Sequence, residues 1–282
     1  MHPTNHLAFG GQGPILHLAP ANGFPPETYR PFAEALTPHF RVIGHRPRPL
    51  RGTHPPASIS SWHDLAADLS TDLDYLGNER IIGVGHSLGG ILSLYCAARQ
   101  PERFRGLVLI DPVLLPHLLL PVLWLMRKRG LQHYFPLARG AARRRDRFAS
   151  HDEARTRYTG RGAFANFVPA AFDGYLEGGL RPAPDGGFEL AWPRAWESHI
   201  FGLAPIDAWN ALRHIHVPLL IIRGTESDLI IDRSWVELQR YAPHAHLAEV
   251  AGGHMVPMEQ PEAVAEVIVA WARGVNADKK AS

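Results

Sequence analysis

Apolar residues in this chain gather into short unbroken runs, and the stretches between them carry apolar positions at helical spacing. The runs at 15–19, 40–44, 81–84, 105–110 and 218–223 are rich in Ile, Val and Leu, the pattern of strands covered on both faces. A weaker strand pattern lies at 245–250. Helical spacing is read at 26–36, 62–76, 88–99 and 260–273. Ser61 with Asp64 reads as a capping pair for the second of these helices, and Pro261 as the opening of the last. Strands alternating with helices predict an α/β fold, a mostly parallel central sheet flanked by helices.

The alternation stops at Pro112 and resumes at Val217. The expected organisation is a core formed by residues 1–111 and 210–282, with a lid or cap inserted at 112–209. Residues 113–126 are too apolar for an ordinary surface loop, yet too short and proline-broken to span a bilayer, which takes about 20 apolar residues. They are read as a lid helix packed on the core. The alternative is that part of the run lines an acyl channel or makes transient contact with a lipid interface. Arg127, Lys128, Arg129, Arg139, Arg143, Arg144, Arg145 and Arg147 follow, read as a solvated face, or else as a site for anionic lipid or the phosphates of an acyl-CoA. Phe24, Trp124, Trp192, Trp196 and Phe201 are candidate pocket walls, with ordinary packing as the competing reading.

Composition narrows this picture. With 282 residues, 45% of them hydrophobic, the chain can fill one α/β core with an insertion. A net charge of +2 gives no global field that calls for nucleic acid. The single cysteine, Cys96, has no partner for an intramolecular disulfide and reads as a small core residue. Residues 1–6 lack the basic region and apolar segment of a signal peptide, so a cytoplasmic location is expected, and 277–282 read as a frayed tail. His214 with His216, and His244 with His246, lack the spacing and nearby carboxylate of a zinc site. No metal and no cofactor is expected.

The chemistry is written at Gly85-His86-Ser87-Leu88-Gly89, which joins the run at 81–84 to the helix at 88–99. A serine on such a tight strand-to-helix turn is held in a strained conformation with its Oγ exposed, and small residues on either side make the turn fit. Ser87 is the candidate nucleophile. The Leu88 N–H, at the positive end of the helix, is a candidate oxyanion donor. A serine hydroxyl needs a base, and a histidine base needs an acid to fix its tautomer. In this kind of sheet the two follow later in the chain, each after a strand. Asp228, in the loop after 218–223, is the expected acid and His254, after 245–250, the expected base. Asp111 also ends a strand and is the main rival to Asp228, with Glu226 and Asp232 as further outsiders. His86 reads as a residue packed behind the nucleophile.

With these three motifs in this order, the chain resembles the α/β-hydrolase superfamily, esterase and lipase type, over most of its length. The resemblance implies a second oxyanion donor in the loop after 15–19, where relatives carry His-Gly and an apolar residue. This chain has Asn22-Gly23-Phe24, so the Phe24 N–H is the donor carried over. It also departs at His45-Arg46-Pro47-Arg48-Pro49-Leu50-Arg51-Gly52-Thr53, where many relatives read Asp-x-Arg-Gly-x-Gly-x-Ser. A stiffer loop is expected there. The resemblance implies a serine hydrolase acting on a small-molecule carboxylic ester through an acyl-enzyme. A thioesterase, C–C bond hydrolase, lactonase, perhydrolase or aminopeptidase would use the same triad, and a hydrolase-like receptor would bind with little turnover. An aminopeptidase would need a carboxylate such as Glu153, Glu177 or Glu197 to hold its substrate's amine.

Overall fold

The buried runs become strands because their side chains on both faces find helices to cover them. The computed structural model describes residues 5–52 and 54–281, apart from the side chains of 276–281. Thr53, Ser282 and residues 1–4 fall outside the described residues, and residues 277–281, expected as a frayed tail, continue the last helix.

Five strands come first: His6–Gly10 (β1), Ile15–Ala19 (β2), Arg41–His45 (β3), Ile81–His86 (β4) and Phe104–Ile110 (β5). Three short ones follow at Arg147–Phe148 (β6), Leu180–Pro182 (β7) and Phe188–Leu190 (β8), then Leu219–Gly224 (β9) and His246–Val250 (β10). Seven of them form one sheet in the order β1-β3-β2-β4-β5-β9-β10. All its pairings are parallel except that of β1 with β3. The edge strand β1 had no β-branched run to announce it.

Helices Arg30–Leu36 (α1), Trp62–Asp74 (α2) and Leu88–Arg99 (α3) lie in the first half. The insertion carries Leu120–Lys128 (α4), Pro136–Ala142 (α5), His151–Tyr158 (α6), Pro169–Gly179 (α7), Arg194–Gly202 (α8) and Ala208–Arg213 (α9). Asp232–Tyr241 (α10), Val256–Glu259 (α11) and Pro261–Ala281 (α12) complete the chain. The helix expected at 26–36 is split into a 3-10 turn, Pro26–Tyr29, and α1. Pro31 has no N–H to give back to the Glu27 carbonyl, so a continuous α-helix loses a bond at that point. At the start of α2 the capping pair is present: the Asp64 carboxylate accepts from the Ser60 and Ser61 N–H groups at 2.7 and 3.0 Å.

Alternate residues along each strand serve two separate cores. Ile15, Leu107, Leu109, Leu219 and Ile221 pack with α2 and α3, whereas Leu16, Leu18, Val84, Val108 and Ile222 pack with α1 and α12. The insertion between β5 and β9 adds no strand to this sheet. It carries instead a small antiparallel sheet in the order β6-β8-β7.

Its apolar start is packed on the core only in part: Leu114, Leu115 and Leu123 are buried in the cluster that holds α2 and α3, with Val113 and Leu120 against it, while the rest of the run faces outward. Leu123 is the only buried residue of α4, while Leu118 is 73% and Val122 53% exposed. Among the described residues no helix is long and apolar enough to cross a membrane. The basic run is not a single solvated face either. Arg144 pairs with Glu197, Arg145 with Glu153, Arg147 with Asp185 and Glu189, and Arg127 donates to the Ala204 carbonyl.

Candidate active site

Ser87 sits between β4 and α3 with φ 54° and ψ −114°, a region a side chain enters only under strain. Two glycines make that turn fit. A Cβ on Gly85 would lie 2.2 Å from the Gly89 carbonyl oxygen, and one on Gly89 would lie 2.1 Å from that of Ala19. The Ser87 N–H donates to the Ile110 carbonyl at 3.0 Å, which fastens the turn to β5.

His254 approaches from the loop after β10. Gly224 lets that loop close on β9, since a Cβ there would meet the Gly253 carbonyl oxygen at 2.2 Å. The Glu259 carboxylate accepts from the Gly253 N–H at 2.6 Å and holds the loop from the other side. His254 Nε2 then lies 3.0 Å from Ser87 Oγ.

The acid beside His254 is Asp111, which corrects the expectation of Asp228. His254 Nδ1 lies 2.5 Å from Asp111 Oδ2, and Asp111 is fully buried at the end of β5. Its backbone has φ 42°, and its N–H donates to the Ile222 carbonyl at 2.7 Å. Asp228 is exposed in the turn after β9. That turn contributes Ser227 instead, whose hydroxyl donates to Asp111 Oδ2 at 2.6 Å and accepts the Leu229 N–H at 3.1 Å. Ser227 went unnoticed in the sequence because a serine in a turn carries no signal of its own. The outsiders Glu226 and Asp232 are not at the site: Asp232 pairs with Arg223.

Behind the nucleophile, a chain of buried hydrogen bonds joins the three loops of the site. The Ala21 N–H donates to Tyr29 Oη at 2.8 Å, and that hydroxyl lies 2.7 Å from His86 Nδ1. On the other side of the ring, His86 Nε2 lies 2.9 Å from the His254 carbonyl oxygen. A neutral ring protonated on Nε2 satisfies all three contacts, with Tyr29 donating to Nδ1. Burial first, and then the neighbouring His254 ring, hold the His86 pKa well below its usual value, against the opposing effect of the carbonyl contact. Its sequence reading as a residue behind the nucleophile matches this placement.

Of the two expected oxyanion donors, Leu88 directly follows the nucleophile. Leu88 opens α3, where its N–H has no intrahelical acceptor. The Phe24 N–H donates to the Ala21 carbonyl at 3.2 Å within a turn, so this weak bond must open before Phe24 can serve as a donor. Gly23, at φ 85°, gives the turn its shape and lies under the Glu197 carboxylate, 3.0 Å from where a Cβ would stand. Asn22 Nδ2 donates to the Glu197 carbonyl at 3.0 Å. Helix α8 of the insertion is thus bound to this loop.

The proposed pocket walls divide. Phe24 is buried against Phe164, Phe167 and Tyr175 of the insertion. Trp192 and Trp196 belong to the buried cluster that includes Leu88, and Phe201 is half-buried on α8. Trp124 is 46% exposed with Lys128 Nζ 4.4 Å from its ring centroid, so it is a surface residue rather than a wall. Glu153, Glu177 and Glu197 are each already paired with an arginine, which takes away the support for an amine-binding site. The described part of the loop expected to be stiff, 45–52, is held by ion pairs. Arg46 meets Glu27, Arg51 meets Asp72, and Arg48 grips Asp68 with two bonds of 2.6 Å.

A sequence model of the alpha/beta hydrolase fold family matches residues 20–261. The chain is 26% identical over 220 residues to Esterase YbfF of Escherichia coli, covering 77% of each chain. It is 27% identical over 267 residues to a 2-(acetamidomethylene)succinate hydrolase of Mesorhizobium japonicum, covering 92% of this chain and 87% of that one. Among solved structures, an E-2-(acetamidomethylene)succinate hydrolase superposes with a TM-score of 0.78 at 24% identity, over 95% of this chain and 94% of the other.

Proposed function

Because this chain belongs to the α/β hydrolase fold family and is a hydrolase of that type, we propose that it cleaves carboxylic esters of small molecules through an acyl-enzyme formed on Ser87. The observation that carries this reading is the continuous contact from Ser87 Oγ to His254 Nε2 and from His254 Nδ1 to Asp111 Oδ2, at 3.0 and 2.5 Å. A buried acid on one ring nitrogen and a serine on the other is the arrangement needed for general-base activation of a hydroxyl. The name of the Escherichia coli relative, an esterase, agrees with it.

In this mechanism Ser87 Oγ attacks the ester carbonyl carbon while His254 Nε2 takes its proton. Asp111 stabilises the imidazolium that results and remains ionised. The tetrahedral oxyanion is held by the Leu88 N–H and, once it leaves the Ala21 carbonyl, by the Phe24 N–H. His254 returns the proton to the departing alcohol, and water repeats the sequence on the acyl-enzyme. We read residues 112–209 as the cap that shapes the pocket, and Phe24, Trp192, Trp196 and Phe201 as its apolar walls. The exposed apolar side chains of residues 118–125 support a transient contact of this cap with a lipid interface.

The test is an assay of the purified protein and its Ser87→Ala variant on p-nitrophenyl esters from acetyl to palmitoyl, with and without vesicles. Ser87-dependent turnover supports the esterase reading, and activation of long chains by vesicles supports the interfacial contact. Turnover equal to the variant's across the whole series overturns the reading and favours a thioester, an amide or a C–C bond as the scissile group, or a receptor.

A further inference from the structure

Three histidines far apart in the sequence meet on one face of the sheet. In the β1–β3 pairing His6 stands opposite His45, and in the β2–β3 pairing His17 stands opposite Ile43, two residues before His45. Strand alternation puts all three side chains on the face covered by α2. Their ring centroids are 5.7 to 6.5 Å apart. One potential ligand atom from each lies within 4.8 Å of the other two. His6 Nε2, His17 Nε2 and His45 Nδ1 are buried, and among the described residues none of them has a hydrogen-bond partner. His17 and His45 are each only 1% exposed.

Three orphaned ring nitrogens are costly. A buried polar atom left unpaired gives up its hydration with no bond to replace it, and a hydrophobic side chain at the same place would carry no such cost. A carboxylate stands beside them: Asp72 of α2 places Oδ2 3.6 Å from His45 Nδ1. It is itself held by Asn5 Nδ2 at 2.8 Å and by Arg51.

We propose that His6, His17 and His45 form a site for a divalent ion of the borderline transition-metal type, Zn²⁺ being the representative, which ties the edge strand β1 to β2 and β3. Imidazole nitrogens select such ions over Ca²⁺ and Mg²⁺, which take oxygen ligands. Around a tetrahedral ion with bonds of 2.0–2.1 Å the nitrogens stand about 3.3 Å apart, so side-chain rotations on the order of 1 Å close the site. Asp72 supplies the fourth ligand, or balances the charge of the ion from just outside. The pairs at His214 and His216 and at His244 and His246 drew attention in the sequence, yet they belong to no group of three metal-type side chains among the described residues.

The test uses full-length protein without a histidine tag, stripped with a chelator and titrated with Co²⁺. The expected result is one equivalent bound, with the intense visible absorption of four- or five-coordinate cobalt, bleached by added Zn²⁺. The His6→Gln variant should lose affinity by more than about 100-fold, beyond the cost of losing an outer-shell partner. His6 is half-buried on an edge strand, so this variant remains informative if His17→Gln fails to fold. The proposal is overturned by the absence of stoichiometric binding, by a weak octahedral-type spectrum, or by unchanged binding in His6→Gln.

Discussion

Asp111 Oδ2 receives two contacts at once, His254 Nδ1 at 2.5 Å and the Ser227 hydroxyl at 2.6 Å. The carboxylate is fully buried, and among the described residues its other oxygen has no partner. Both contacts therefore converge on the one oxygen that faces the histidine ring.

Asp111→Asn should lower kcat by a factor on the order of 10⁴, because the amide favours the wrong tautomer of His254. Asp228→Asn should leave kcat within about twofold, as for other exposed substitutions. Side-by-side kinetics on one ester decide it, and the reverse ranking would return the acid's role to Asp228.

Ser227→Ala removes a hydrogen bond to a buried charge, a contact of the class worth about 1.5–3 kcal/mol. With the carboxylate less firmly held, kcat should fall, though less than in Asp111→Asn. A normal kcat would show that Ser227 does not orient the acid.

Gly85→Ala and Gly89→Ala should fail to give folded, active protein. Their Cβ atoms would meet backbone carbonyls at 2.2 and 2.1 Å, where no side-chain rotation gives relief. The cost should exceed the roughly 1–3 kcal/mol of ordinary overpacking. Circular dichroism melts test this, with Gly140→Ala, at a helical glycine with open space around it, as the comparison.

Arg144 and Glu197, both of the insertion, form a nearly buried pair at 2.8 Å beside the loop at Gly23. Arg144→Met alone should destabilise by about 3–5 kcal/mol, since it strands the Glu197 charge. Adding Glu197→Gln should recover part of the loss. Urea unfolding of the four proteins in the cycle measures it, and strict additivity would deny the coupling.

His86 must be neutral to accept from Tyr29 and donate to the His254 carbonyl. Its pKa is low in the folded chain and about 6.5 in the unfolded one, so below pH ~6.5 only the unfolded chain takes up this proton. Its contribution to stability is then present above pH ~6.5 and lost on acidification, by up to about 1.4 kcal/mol per pH unit. Unfolding measured at pH 7.5 and 5.5 should show a smaller pH dependence in His86→Asn than in the native protein. Equal slopes would remove His86 as a source.

The parallel sheet, its helical cover and the turn at Ser87 were legible in the sequence, because each is a local property of the chain; His254 was singled out by its order after a later strand, and the structure sets it 3.0 Å from Ser87 Oγ. An unbroken β-branched run is a buried strand wherever it lies, and glycines around a serine allow one kind of turn. The acid was decided only by the fold: Asp111 and Asp228 both follow strands, and nothing in the chain says which strand end faces His254. Strand order and burial made that choice, leaving Asp228 in solvent and Asp111 under the histidine. The same holds for His6, His17 and His45, which only strand register brings together, and for the arginines of the insertion, whose partners come from distant segments. The exposure of α4 was likewise decided by packing, since an apolar run states what it would bury but not whether a surface is there to receive it.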